Sequence, residues 1–145
     1  MDHAEVMNSC DGKAHRVGLD KLTAAERIVT LLSHANFEIE NGGISQYFYN
    51  SAGENATEAL AALKEVGAMR AAAALQAALA LFPTGMAITG TDAHFCEVLN
   101  QVSDELNNLT SEFYAEHPDV FSQLCTYIEN HASELTEHGA SPKDS

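Results

Sequence analysis

Apolar residues recur at helical spacing along most of the chain and nowhere alternate with period two, so the pattern predicts helices alone. Thr23 and Glu26 carry a capping-box signature. After them Ile28, Leu31, Leu32, Ala35 and Ile39 fall on one face, up to Asn41-Gly42-Gly43. The glycine pair reads as a helix end and a turn open to unusual backbone dihedrals. Ser45 to Ser51, rich in aromatic rings and bounded by those glycines and Gly53, is predicted as a short helix. Asn55 with Glu58 is expected to cap the next helix, which runs to about Val66 with Ala56, Ala59, Leu60 and Leu63 inward before Gly67 breaks it. Another helix is expected from about Met69 to Phe82.

Pro83 to Thr91, with two Gly and three Thr, reads as a loop. Thr91 or Asp92 then caps one long helix, whose inward stripe is Phe95, Val98, Leu99, Val102, Leu106, Leu109 and Phe113. Pro118 stops it and can open the final helix, where Val120, Phe121, Leu124, Tyr127 and Ile128 form one stripe. Residues 1–19 show no sustained period and are expected to be irregular, and residues 132–145 read as a polar, acidic, fraying tail. The expected fold is all-α: a single compact domain of five to seven helices over residues 20–131, without internal repeats.

Composition agrees with helix, since 23 of the 145 residues are Ala. Charge narrows the function. Asp plus Glu number 21 against 7 Lys plus Arg, a formal net charge of −14, and Ala71 to Pro142 hold ten acids with no Lys or Arg. Phosphate contacts need clustered cations, so direct nucleic-acid binding is excluded. The uncharged run Ala71 to Thr91 is broken by Gln76, Pro83, Gly85 and Gly90, and its apolar part is shorter than the ~20 residues a membrane span needs. Three scattered cysteines, Cys10, Cys96 and Cys125, suggest reduced thiols, and the polar N-terminus lacks a secretion signal. A cytoplasmic protein is expected.

Catalytic signatures such as GxSxG, GxxxxGK[ST], HExxH and CxxC are absent. His94, Cys96 and Glu97 lie close together, but the second cluster of a deaminase-like zinc site is missing. Cys96 and Cys125 read as buried thiols. His131, Glu134 and His138 have a spacing that would align them on one helical face, though a frayed tail does not preorganise ligands. His34 and Glu38 read as an i, i+4 surface hydrogen bond. No catalytic residue, cofactor or metal is expected.

The acids of the long helix are more informative. At about 100° per residue, Glu97, Asp104, Glu105, Glu112 and Glu116 share roughly a third of the helix circumference, with nothing basic beside them. These five carboxylates are the candidate partner-binding residues. Their density, about one per 6 Å of helix, is too dilute for one helix to match duplex DNA at one charge per ~1.7 Å. The charge of the whole chain is of the right order if acids from several helices converge or two copies align.

The run Glu40 to Ala68 carries Asn41, Gly42, Gly43, Gln46, Tyr47, Phe48, Asn50, Ser51 and Gly53, then Ala59, Leu60, Leu63, Val66, Gly67 and Ala68. It resembles the pattern of the bacterial family built around the C-terminal domain of a DNA-mimic protein. Leu81-Phe82-Pro83 and the stretch from Asp104 to Tyr114 resemble it too, so the likeness covers roughly residues 20–131. The resemblance implies an all-α fold and a founding member that imitates duplex DNA to occupy the DNA-binding surface of a transcription factor. By their chemistry Asn41, Gln46, Tyr47, Tyr49 and Asn50 either line a small pocket or, as favoured here, hold a tight helix-turn-helix corner by side-chain to backbone bonds. The expected function is that of a non-enzymatic acidic protein binding a basic partner, a DNA-binding protein, with a homodimer possible. Alternatives are an immunity or antitoxin-like protein that neutralises a basic toxin, an uncharacterised helical interaction domain, or an enzyme such as a hydrolase using the Asn41 to Asn50 region or a metal on the tail histidines.

Overall fold

Seven α-helices make up a computed structural model that describes residues 1–50 and 55–141. They are α1 (His3–Val17), α2 (Ala24–Tyr49), α3 (Ala56–Glu65), α4 (Met69–Leu79), α5 (Ala93–Gln101), α6 (Ser103–Phe113) and α7 (Val120–Asn130), with short 3₁₀ turns at Leu19–Lys21, Ala132–Glu134 and Thr136–His138. No strand occurs among the described residues, and all helices share one core, so the fold is a single all-α domain. Ser51 and Gly53 lie outside the described residues.

The helix starts follow side-chain chemistry. Thr23 and Glu26 form the expected capping box, Glu26 N–H donating to Thr23 Oγ1 at 3.2 Å and Thr23 N–H to Glu26 Oε1 at 2.9 Å. Asp92 caps α5 by accepting from Phe95 N–H at 2.9 Å. Asp119, rather than Pro118, caps α7 by accepting from Ser122 N–H at 3.0 Å. Asn55 precedes α3 without a side-chain cap, and Glu58 turns instead to Arg27, whose Nη2 lies 2.5 Å away.

Three expectations are corrected. First, residues 3–17 are helical rather than irregular. Asp2 accepts from Glu5 N–H at 3.2 Å, and Val6, Met7 and Cys10 are buried. That stripe is too short to stand out as a period, but Asp2 followed by Glu5, with Arg16 in the last turn and Gly18 after it, is a start-and-stop signal present in the chain. Second, residues 132–140 pack against the core rather than fray: the two 3₁₀ turns bury Ala132 and His138, and Leu135 and Ala140 beside them are buried too. Such turns are too short to carry a helical period. Third, the long helix breaks at Val102 (φ −108°, ψ 15°) into α5 and α6. Asp104 and Glu105 sit in the first turn of α6, where carboxylates favour a fresh N-terminus.

One buried carboxylate ties both chain ends to the body. Glu26 Oε2 accepts from Lys13 Nζ of α1 at 2.8 Å and lies 2.5 Å from His138 Nε2 of the last turn. His138 Nδ1 meets Ser9 Oγ at 2.8 Å, and Lys13 also reaches Glu137 Oε1 at 2.8 Å. Burial raises the Glu26 pKa, but the hydrogen bonds from Lys13, the Thr23 backbone and His138 outweigh it and hold the carboxyl at about 2. Burial and the neighbouring carboxylates Glu26 and Glu137 push the Cys10 thiol up to about 12.

Two outcomes follow. Glu26→Gln leaves Lys13 and His138 without their buried anion and is expected to cost about 3–5 kcal/mol in denaturant unfolding. Because the folded carboxyl titrates below its unfolded value, its stabilisation is complete above about pH 4.5 and is lost as pH falls towards about 2. Wild type should therefore lose about 3 kcal/mol more than Glu26→Gln across that window.

Candidate partner-binding surface

The surface rests on a corner in α2. Helical geometry breaks at Gly42 (φ −151°, ψ 19°) and Gly43 (φ 78°, ψ 179°), the second a conformation that only glycine adopts without strain. Across the break, Glu38 Oε2 accepts from Gln46 Nε2 at 2.9 Å and from Asn50 Nδ2 at 2.8 Å. Glu38 is buried, so these bonds replace the water its carboxylate loses. Tyr47 and Phe48 then point inward, and the rings of Phe48, Phe82 and Phe95 follow one another at 5.7 and 5.1 Å. Asn41 and Tyr49 stay exposed. The corner is thus held by Gln46 and Asn50, and through the Glu38 side chain rather than through side-chain to backbone bonds; from the sequence, Glu38 is expected only to pair with His34. The His34 Nε2 to Glu38 Oε1 distance is 3.8 Å.

The corner seats α6. Ile44 N–H, just past the glycines, donates to Thr110 Oγ1 at 3.0 Å, and Thr110 Oγ1 donates to the Leu106 carbonyl at 2.9 Å. Tyr114 OH donates to Asn36 Oδ1 at 2.9 Å. Leu106 and Phe113 are buried, which turns the other side of α6 to solvent.

The five candidate carboxylates divide in two. Glu97 on α5 and Asp104 and Glu105 on α6 are exposed, and none has an ion-pair partner among the described residues. Glu112 and Glu116 turn towards α4. Arg70 donates to Glu112 Oε2 from Nε at 3.1 Å and from Nη2 at 2.8 Å. Glu116 accepts from the backbone N–H groups of Arg70 and Ala71, each at 3.4 Å, and so stands where the uncapped start of α4 needs an anion. A single arc of five acids on one helix is thus corrected, by the break at Val102 and by these internal roles.

A pattern match extends over residues 20–131, the model being that of the DMP19-like protein. The chain belongs to this DNA-mimic protein family. No curated protein and no solved structure matches it. The match covers the Gly42-Gly43 corner, its aromatic core and all five candidate carboxylates, whereas α1 and the last two 3₁₀ turns lie outside it.

Other candidate groups have structural partners. The ring of His131 stacks on Tyr127 at 3.9 Å while His138 faces Glu26, so the spaced tail histidines do not meet. Glu26, Glu137 and His138 do gather ligand atoms within 4.8 Å, but Lys13 Nζ already lies 2.8 Å from both carboxylates and supplies the positive charge there. Cys96 and Cys125 are half-buried rather than buried. Among the described residues no helix is long and apolar enough to cross a membrane.

The division of the acids is measurable. Glu112→Gln with Glu116→Gln should lower stability by about 1–2 kcal/mol, through the lost anion at α4 and the Arg70 pair. Asp104→Asn with Glu105→Gln should cost no more than about 1 kcal/mol, the helix-terminus effect alone. Thermal melts of the two double variants make the comparison.

Proposed function

We propose that the protein is a non-enzymatic acidic protein that binds a positively charged partner, a DNA-binding protein, by presenting carboxylates in place of DNA phosphates. One observation carries this reading: in a chain of the DNA-mimic family, Glu97, Asp104 and Glu105 stand exposed on adjoining helices with no ion-pair partner among the described residues. Lys13, Arg27 and Arg70 are each spent on internal carboxylates. Unpaired like charges repel, which offsets part of the helix-terminus gain at Asp104 and Glu105 and leaves the three acids open to a partner's cations. The free thiols of Cys10, Cys96 and Cys125 support a cytoplasmic setting, where such a partner is found.

Electrostatic recognition of this kind has a steep salt dependence and a fast, steered association. The tagged protein, used to capture partners from host lysate and eluted along a salt gradient, should retain a DNA-binding protein that duplex DNA displaces. The combined variant Glu97→Gln, Asp104→Asn and Glu105→Gln should weaken that complex by about tenfold and flatten its salt dependence, with the helical fold retained by circular dichroism. A partner indifferent to both salt and duplex DNA would overturn the reading, as would unchanged affinity of the variant.

A further inference from the structure

A groove of about 660 Å³ runs between α1 and α2, with Phe121 of α7 at its side. Its two walls share one spacing. Ala4, Met7, Asp11 and Ala14 face it from α1, and Thr30, Ser33, Phe37 and Glu40 from α2, both in an i, i+3, i+7, i+10 series. At 1.5 Å per residue each wall is about 15 Å long, room for two to three turns of a further helix. Two large rings stand open beside it: Phe37 is 65% exposed and Phe121 43%. At its floor Thr30, only 6% exposed, carries a hydroxyl with no hydrogen-bond partner among the described residues. Buried hydroxyls are rarely left unmatched.

We infer that this groove docks an amphipathic helix of a basic partner protein. Its apolar stripe would cover Met7, Phe37 and Phe121, and a Lys or Arg beside the stripe would meet Asp11 and Glu40. Charge selects this occupant. Among the described residues Asp11 and Glu40 line the groove together with His15 and His34, no Lys or Arg does, and the chain as a whole carries −14. Asp11 Oδ2 lies 3.6 Å from His15 Nδ1 and Glu40 Oε2 accepts from Asn36 Nδ2 at 3.5 Å, so an acidic or neutral helix would gain the apolar contacts but bring no Lys or Arg to either carboxylate. A helix-in-groove complex draws its affinity from anchors at i, i+3, i+4 and i+7, and the paired walls offer that period. The inference does not rest on the mimic reading, since no groove residue comes from α5 or α6.

The test uses the full chain and a synthetic helical peptide of about 15 residues, with Leu at i, i+3, i+4 and i+7 and Lys flanking the stripe. Fluorescence anisotropy should give a Kd on the order of 10 µM, and amide shifts in the NMR spectrum should cluster at Thr30, Ser33, Phe37 and the facing residues of α1. Phe37→Ser with Phe121→Ser should weaken binding at least tenfold, and both side chains are exposed enough that the fold survives. Asp11→Asn with Glu40→Gln should weaken it about threefold and reduce its salt dependence. The inference is overturned if a scrambled peptide or one with Glu for Lys binds equally well, if shifts map elsewhere, or if no binding is seen at millimolar peptide. Sedimentation of the wild type adds a further outcome: self-association abolished by Phe37→Ser would make a second copy the occupant and refute the basic helix. The α5–α6 variant Glu97→Gln, Asp104→Asn and Glu105→Gln should bind the peptide as wild type does, which separates this result from the mimic reading.

Discussion

Glu38 is a buried carboxylate on one side of a helix break, and its two amide donors, Gln46 and Asn50, are on the other. Burying an ionised acid without partners costs several kcal/mol, so the arrangement is stable only while the chain turns at Gly42 and Gly43. That requirement fixes the direction of the second half of α2. Tyr47 and Phe48 then enter the core beside Phe82 and Phe95. Thr110 comes within reach of the Ile44 amide, and the Tyr49 carbonyl accepts from Gly90 N–H at 2.9 Å, closing the Pro83 to Thr91 loop over the corner. A Cβ at Gly90 would lie 2.6 Å from that carbonyl, so this approach needs glycine as much as the turn itself does. The exposed side of α6 is where it is because the corner seats its buried side.

A net charge of −14 is managed by giving many of the acids internal work. Glu26 and Glu38 hold buried hydrogen bonds, Glu58 and Glu112 take arginines from other helices, and Glu116 caps α4. Glu97, Asp104 and Glu105 are left out of this set. Charge counting alone therefore overstates how much of the acidity is available to a partner. The helical wheel placed Glu112 and Glu116 beside Glu105, but a wheel contains no neighbouring helix, and it is α4 that claims those two.

Helix identity was legible wherever an apolar stripe or a cap spans several turns. The stripe from Phe95 to Phe113 does face the core, and the Thr23–Glu26 capping box forms as the spacing requires. The break at Val102 was not legible, because the stripe continues across it: α5 and α6 bend while keeping the same side buried. α1 escaped notice because only Val6, Met7 and Cys10 of its fifteen residues are buried. In the candidate surface, the glycine corner was readable from Asn41-Gly42-Gly43 and the following amides. Its anchor Glu38 was not, since nothing in a local pattern distinguishes an acid that bonds eight and twelve residues ahead from one that faces solvent. The clamp of Glu26 on His138 spans more than a hundred positions and has no local signature at all.

Those long-range contacts also separate two layers of the molecule. Residues 20–131 contain the corner, the aromatic core and the acidic helices, all within the family pattern. α1 and the closing 3₁₀ turns lie outside that pattern, yet they are not loose additions, because Lys13 and His138 converge on Glu26 of α2 and Ser9 of α1 meets the other ring nitrogen of His138. The clamp holds α1 along α2, and the space left between their outward faces is the groove bearing Phe37 and Phe121. A helix serving only to cover the core would bring its neighbours' large rings under cover. Here α1 runs alongside Phe37 and leaves it two-thirds exposed, and that opening is the observation from which the helix-docking proposal starts.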